Sequence, residues 1–197
     1  SGSGNVSMGF FQEPLSPHWS EGPDFVIPCG GMPRSATVGH MDSDLSEDIA
    51  IASARSDWTG STLALYPSRL PVFSNSNATA WTRGTAEASS IACGDLNGDD
   101  IEDLVLASPS DQSLDYACSF GSVSGTIPLG HSPERLLVRD FDGDGAADVL
   151  VTMSDAPLVS LIRGGSGFPG DALQLSFSGA VTDAEMGDFN HDSLMDF

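Results

Sequence analysis

Oxygen-bearing side chains recur at a fixed spacing in four nine-residue segments of this chain. They are His40-Met41-Asp42-Ser43-Asp44-Leu45-Ser46-Glu47-Asp48, Asp95-Leu96-Asn97-Gly98-Asp99-Asp100-Ile101-Glu102-Asp103, Asp140-Phe141-Asp142-Gly143-Asp144-Gly145-Ala146-Ala147-Asp148 and Asp188-Phe189-Asn190-His191-Asp192-Ser193-Leu194-Met195-Asp196. In a tight loop, side chains at positions 1, 3 and 5 converge on one point, the carbonyl of position 7 adds another oxygen, and an Asp at position 9 closes the shell. Hard oxygen donors in that number suit Ca²⁺, which takes about six to eight of them. The predicted ligands are Asp95, Asn97, Asp99, the Ile101 carbonyl and Asp103 in the second loop, and Asp140, Asp142, Asp144, the Ala146 carbonyl and Asp148 in the third. The fourth would use Asp188, Asn190, Asp192, the Leu194 carbonyl and Asp196. The first has His40 at position 1, a poor donor for a hard cation, leaving Asp42, Asp44, the Ser46 carbonyl and Asp48. Of the four, the third alone has Gly at position 6, so it is expected to bind most tightly and the first least. In each, the ion is expected to offset carboxylate repulsion and fix a turn.

Other chemistries fit less well. An EF-hand needs a bidentate Glu at position 12 between helices, where this chain has Ile51, Leu106 or Val151 in apolar runs. No nucleophile elbow, zinc-type His-Glu-x-x-His, phosphate loop or dinucleotide fingerprint is present. Gly164-Gly165-Ser166-Gly167 reads as a hairpin turn, and His18, His40, His131 and His191 share no spacing. The chain is therefore expected not to be an enzyme. Trp19, Trp58 and Trp81 are read as packing residues, with sugar stacking as the alternative.

The loops must be held by something, and the residues around them repeat as well. Position 2 is always apolar (Met41, Leu96, Phe141, Phe189), and runs such as Ile49–Ala52, Leu104–Ala107 and Val149–Val151 follow position 9. Their brevity and continuity predict strands buried on both faces. Ser90–Cys93 and Arg135–Val138 predict strands before two of the loops; Ser61–Tyr66, Leu114–Phe120 and Pro157–Ile162 predict a further strand after each of the first three apolar runs. The loop starts are 55, 45 and 48 residues apart, the length of a propeller blade.

Asp-x-Asx-x-Asp-Gly-x-x-Asp before an apolar strand resembles the FG-GAP and VCBS repeats of integrin-α-like β-propellers, from about residue 36 to the end. The resemblance implies an all-β chain: an irregular lead-in over residues 1–35, then blades over 36–197 with calcium loops at 40–48, 95–103, 140–148 and 188–196. About four blades are expected, the last incomplete, as part of a propeller of roughly seven that continues beyond Phe197. Phe25-Val26-Ile27 is expected to form a short strand that could complete the last blade.

Charge and composition narrow the partners. The chain has 197 residues and a formal net charge of −21, its cations are seven Arg with no Lys, and Asp outnumbers Glu by 21 to 7. Scattered cations argue against nucleic-acid binding and against a polybasic membrane patch. No apolar run is long enough to span a membrane. Thirteen of the Asp residues sit at ligand positions, so the acidity is largely that of ion sites. Cys29, Cys93 and Cys118 are odd in number, and a bond between Cys93 and Cys118 is disfavoured because a strand would separate them. Sequons at Asn77 and Asn5 are candidate glycosylation sites. Weak Ca²⁺ loops fill where calcium is millimolar, which points to an extracellular, cell-surface or lumenal setting. The expected function is a calcium-stabilised adhesion or assembly module presenting loops to a protein or glycan partner, with a propeller lectin or an accessory propeller of a larger secreted enzyme as alternatives.

Overall fold

A computed structural model describes residues 5–8, 25–28, 31–44, 46–55, 60–69, 72–73, 79–83, 88–118, 124–191 and 196–197. Strands β1 (Asn5–Met8) and β2 (Phe25–Pro28) pair antiparallel with each other. Three four-stranded antiparallel sheets follow. The first contains β3 (Met32–Gly39), β4 (Asp48–Ala54) and β5 (Ser61–Tyr66); a small pair, β6 (Ser68–Arg69) and β7 (Val72–Phe73), precedes its outer strand β8 (Thr79–Arg83). The second runs β9 (Ser90–Gly94), β10 (Asp103–Ser108), β11 (Ser113–Ala117), β12 (Gly125–Pro128). The third runs β13 (Pro133–Arg139), β14 (Asp148–Met153), β15 (Leu158–Ile162), β16 (Ala172–Ser176). Each sheet pairs its strands in chain order, the topology that short connections favour.

The described residues of the lead-in form the antiparallel pair β1–β2 and the start of β3; Phe25-Val26-Ile27, expected as a short strand, lies in β2 and pairs with Ser7 and its neighbours. A partner nearby in the chain costs less loop-closure entropy than one at its far end.

Alternation within the central strands explains how the sheets stack. Every residue of β4, β10 and β14 is buried. Leu104 and Leu106 of β10 face Ala50, Ala52, Leu63 and Leu65 of the first sheet. The intervening Val105 and Ala107 face Leu136, Val138, Val149 and Val151 of the third. A strand whose two faces serve two cores has no polar side to show water, hence the continuous apolar runs. β9 lies against both β3 and β13, so the opening strands of the three sheets are neighbours.

Position 2 of each of the first three loops plugs a core. Met41 is in the core between the first two sheets and Leu96 in that between the second and third. Phe141 sits with Leu150 and Val159 on the far face of the third sheet. Phe189, in the fourth loop, is 67% exposed, and that loop is closed by an isolated bridge between Gly187 and Asp196. Leu96 is fully buried, and Leu96→Ala is expected to cost about 2–5 kcal/mol. Urea denaturation of the two chains checks this; a loss below about 1 kcal/mol would contradict the packing role.

Candidate metal centre

Each of the first three acidic loops joins the first and second strands of its sheet, and one carboxylate closes it. Asp48, Asp103 and Asp148 begin the central strands and are almost fully buried. Position 9 pairs in register with the residue before position 1, as Gly39 with Asp48, Gly94 with Asp103 and Arg139 with Asp148. The fourth loop has the same bridge, Gly187 with Asp196. In all four, Oδ2 of position 9 accepts the backbone N–H of position 2. The distances are 3.1 Å for Met41 to Asp48, 3.0 Å for Leu96 to Asp103, 2.9 Å for Phe141 to Asp148 and 3.0 Å for Phe189 to Asp196.

Local hydrogen bonds shape the turn inside this ring. Asp95 accepts the N–H groups of Gly98 and Asp99 at Oδ1 and that of Asp100 at Oδ2, over 2.7–3.0 Å. Asp140 does the same for Gly143, Asp144 and Gly145 over 2.7–3.2 Å. Position 5 then accepts the N–H of position 7: Asp44 from Ser46, Asp99 from Ile101 and Asp144 from Ala146, at 2.9–3.0 Å. His40 supplies no such acceptor, and its own N–H goes to Glu102 Oε2 at 2.9 Å.

Three carboxylates come within 4.8 Å of one another in the first loop (Asp42, Asp44, Asp48) and in the third (Asp140, Asp142, Asp148). The first loop, expected to be weakest for want of a position-1 carboxylate, thus still gathers a trio, because positions 3, 5 and 9 are set by the turn and the ring closure. Asp144 lies outside the third loop's trio. The second loop gathers no such trio and has an amide at position 3. Asn97 Nδ2 donates to Asp99 Oδ2 at 3.1 Å, while its Oδ1 is buried without a partner. An orphaned acceptor among carboxylates is what a bound cation would satisfy.

The electrostatics agree. Burial pushes Asp103 up to about 6, against the Leu96 N–H, which favours the charged form, and with help from the nearby Asp99 charge. Asp148 is also raised, first by burial, then against the Gly164 and Phe141 N–H groups, with Asp142 and Asp144 adding repulsion. Crowded, partly buried carboxylates of this kind are relieved by a cation. In the fourth loop Asp188, Asn190 and Asp196 are described, whereas Asp192 and Leu194 lie outside the described residues.

The loops are also tied in series. Glu102, position 8 of the second loop, donates its N–H to the His40 carbonyl at 2.8 Å, and Ala147, position 8 of the third, donates to the Asp95 carbonyl at 2.6 Å. This needs close approach: a Cβ on Gly94 would meet Val138 Cγ1 at 2.5 Å and Ala147 Cβ at 3.0 Å. The Gly before position 1 of the first loop is crowded in the same way, since a Cβ on Gly39 would run into Glu102 and Cys93 of the second repeat.

Of the remaining candidates, the two described cysteines lie against the second loop, Cys93 beside Glu102 and Cys118 beside Asp103. Cys93 and Cys118 remain thiols. Burial pushes Cys93 up to about 11 and Cys118 up to about 12. Gly164–Gly167 lie in the connection between β15 and β16, as a turn there requires. Asn5 is on β1 and Trp81 on β8, while Trp19, Cys29, Trp58 and Asn77 lie outside the described residues.

Residues 140–197, from the third acidic loop through the fourth, match the family model of the FG-GAP-like repeat. That segment carries an FG-GAP-like repeat, and the two preceding loops share its ring closure and strand register. No curated protein matches the chain. No helix among the described residues is long and apolar enough to cross a membrane.

The turn of the second loop carries strain at position 6. Asp100 at position 6 has φ 66°, where the third loop has Gly145 at 94°. Asp100→Gly is expected to stabilise the cation-free chain by about 0.5–1 kcal/mol by removing the left-handed penalty, read as a higher urea midpoint. A lower midpoint would contradict it.

Proposed function

We propose that the chain is a calcium-stabilised β-propeller segment that acts without catalysis as an extracellular adhesion or assembly module. The observation that carries this reading is the run of acidic loops in one register, each closed by its position-9 carboxylate, with the first three linked in series by backbone hydrogen bonds. Three stacked sheets of chain-ordered strands, with opening strands adjacent, fit consecutive blades of such a propeller. The FG-GAP-like repeat favours a secreted or cell-surface setting.

In this reading the residues that would hold Ca²⁺ are the predicted sets: Asp42, Asp44 and Asp48; Asp95, Asn97, Asp99 and Asp103; Asp140, Asp142, Asp144 and Asp148; and their counterparts from Asp188 to Asp196. When bound, the cation supplies positive charge that lets these carboxylates stay ionised side by side. The chain's own contribution is positional. Position 9 anchors the loop to a central strand, position 2 locks it into a core, and the loop row forms a rigid rim from which connections of differing length reach a protein or glycan partner.

Calcium is therefore expected to raise thermal stability. At a free concentration about a hundredfold above Kd, one site contributes about 2.7 kcal/mol. The melting temperature should rise with Ca²⁺ and fall back in chelator, and Asp140→Asn combined with Asp142→Asn should reduce the rise, each protein measured against its own chelated baseline. A melting temperature indifferent to millimolar Ca²⁺ would overturn the reading.

A further inference from the structure

We propose that Arg163 is an internal counter-ion that holds the cation affinity of the third loop below what its ligand set alone would give. The proposal rests on the calcium reading of that loop and concerns how the site is tuned.

The register places one residue of the third strand of each sheet beside position 9 of its loop. Ile49 faces Tyr66, Leu104 faces Ala117 and Val149 faces Ile162. The next residues outward are Pro67, Cys118 and Arg163, of which Arg163 alone has a guanidinium. Its backbone is fixed from both sides: its N–H donates to the Asp171 carbonyl at 3.0 Å, and its carbonyl accepts the Gly170 N–H at 3.0 Å. The adjacent Gly164 N–H donates to Asp148 Oδ1 at 2.7 Å, pinning this strand end to the loop. From that base Arg163 Nη2 reaches Asp142 Oδ2 at 3.3 Å, and Asp142 is one of the three converging carboxylates.

The third loop, with Asp at positions 1, 3, 5 and 9 and Gly at 6, has the fullest ligand set and is the one of the first three with a cation already at this register position. A divalent ion entering it must share Asp142 with the guanidinium or displace it. The Arg163 side chain is 63% exposed, so it can withdraw into water, but a positive charge roughly 6 Å from a divalent ion still weakens binding about tenfold at the dielectric of water. In the cation-free loop the same guanidinium offsets part of the carboxylate repulsion. The first and second loops, with Pro67 and Cys118, have no such competitor at that register position.

A Ca²⁺ titration of the ¹⁵N-labelled chain tests this, with the amides of Gly143 and Gly145 reporting the third loop and Gly98 the second. Arg163→Gln should shift the Gly143 and Gly145 midpoints to about three- to tenfold lower Ca²⁺ while leaving the Gly98 midpoint unchanged. Arg163→Lys, which keeps the charge, should stay close to the parent. In an Asp142→Asn background the Arg163→Gln effect should shrink. If Gly143 and Gly145 titrate in the parent and Arg163→Gln leaves them unchanged, or if Gly98 shifts equally, the proposal is overturned and the calcium reading stands. If Gly143 and Gly145 respond to Ca²⁺ in neither chain, both are overturned.

Discussion

Asp48, Asp103 and Asp148 each bury an ionisable group at the mouth of a strand whose residues are all buried. Such burial is costly unless hydrogen bonds and opposite charge compensate it. Here the position-2 amide supplies the first of these, at 2.9–3.1 Å in each of the three loops. One bond performs two tasks: it satisfies the carboxylate, and it holds the position-2 side chain where it must enter a core. Ring closure, core plug and strand entry therefore depend on one another.

From that constraint the stacking follows. A central strand fixed at its first residue presents alternate side chains to two neighbouring sheets, and the position-2 residue fills the end of the core beside it. Position 8 of the second and third loops then lies close enough to donate to the carbonyl at position 1 of the loop before it. The second sheet is thus clamped from both sides, by the Glu102 to His40 bond and by the Ala147 to Asp95 bond. Repeats that bind only their neighbours gain stability from such interfaces, so a loop that gathers charge also transmits order along the row.

Much of this is legible in the residues. The central strands are readable because a two-faced strand must be apolar throughout, and Ser61–Tyr66 emerges with the bounds its pattern predicts. The loops are readable because ligand spacing is a local property. What the residues conceal is non-local. Position 9 reads as a ligand, yet its hydrogen bond to position 2 depends on strand pairing. Position 8 has no part in the ligand pattern, yet the backbone and carboxylate of Glu102 both serve His40 of the preceding loop. Gly94 ends β9, and the reason for a glycine there lies on Val138 and Ala147 of another sheet. Arg163 stands 21 residues from Asp142 and meets it only through the β14–β15 register.

The account is tested most directly by crystallographic anomalous scattering from the chain crystallised with Ca²⁺. It predicts anomalous peaks inside the loops at 95–103 and 140–148, surrounded by the oxygens of Asp95, Asn97, Asp99 and Asp103 and of Asp140, Asp142 and Asp148, with the position-9 to position-2 hydrogen bonds intact. Well-ordered loops with those bonds formed and no peak at either site in millimolar Ca²⁺ would contradict it.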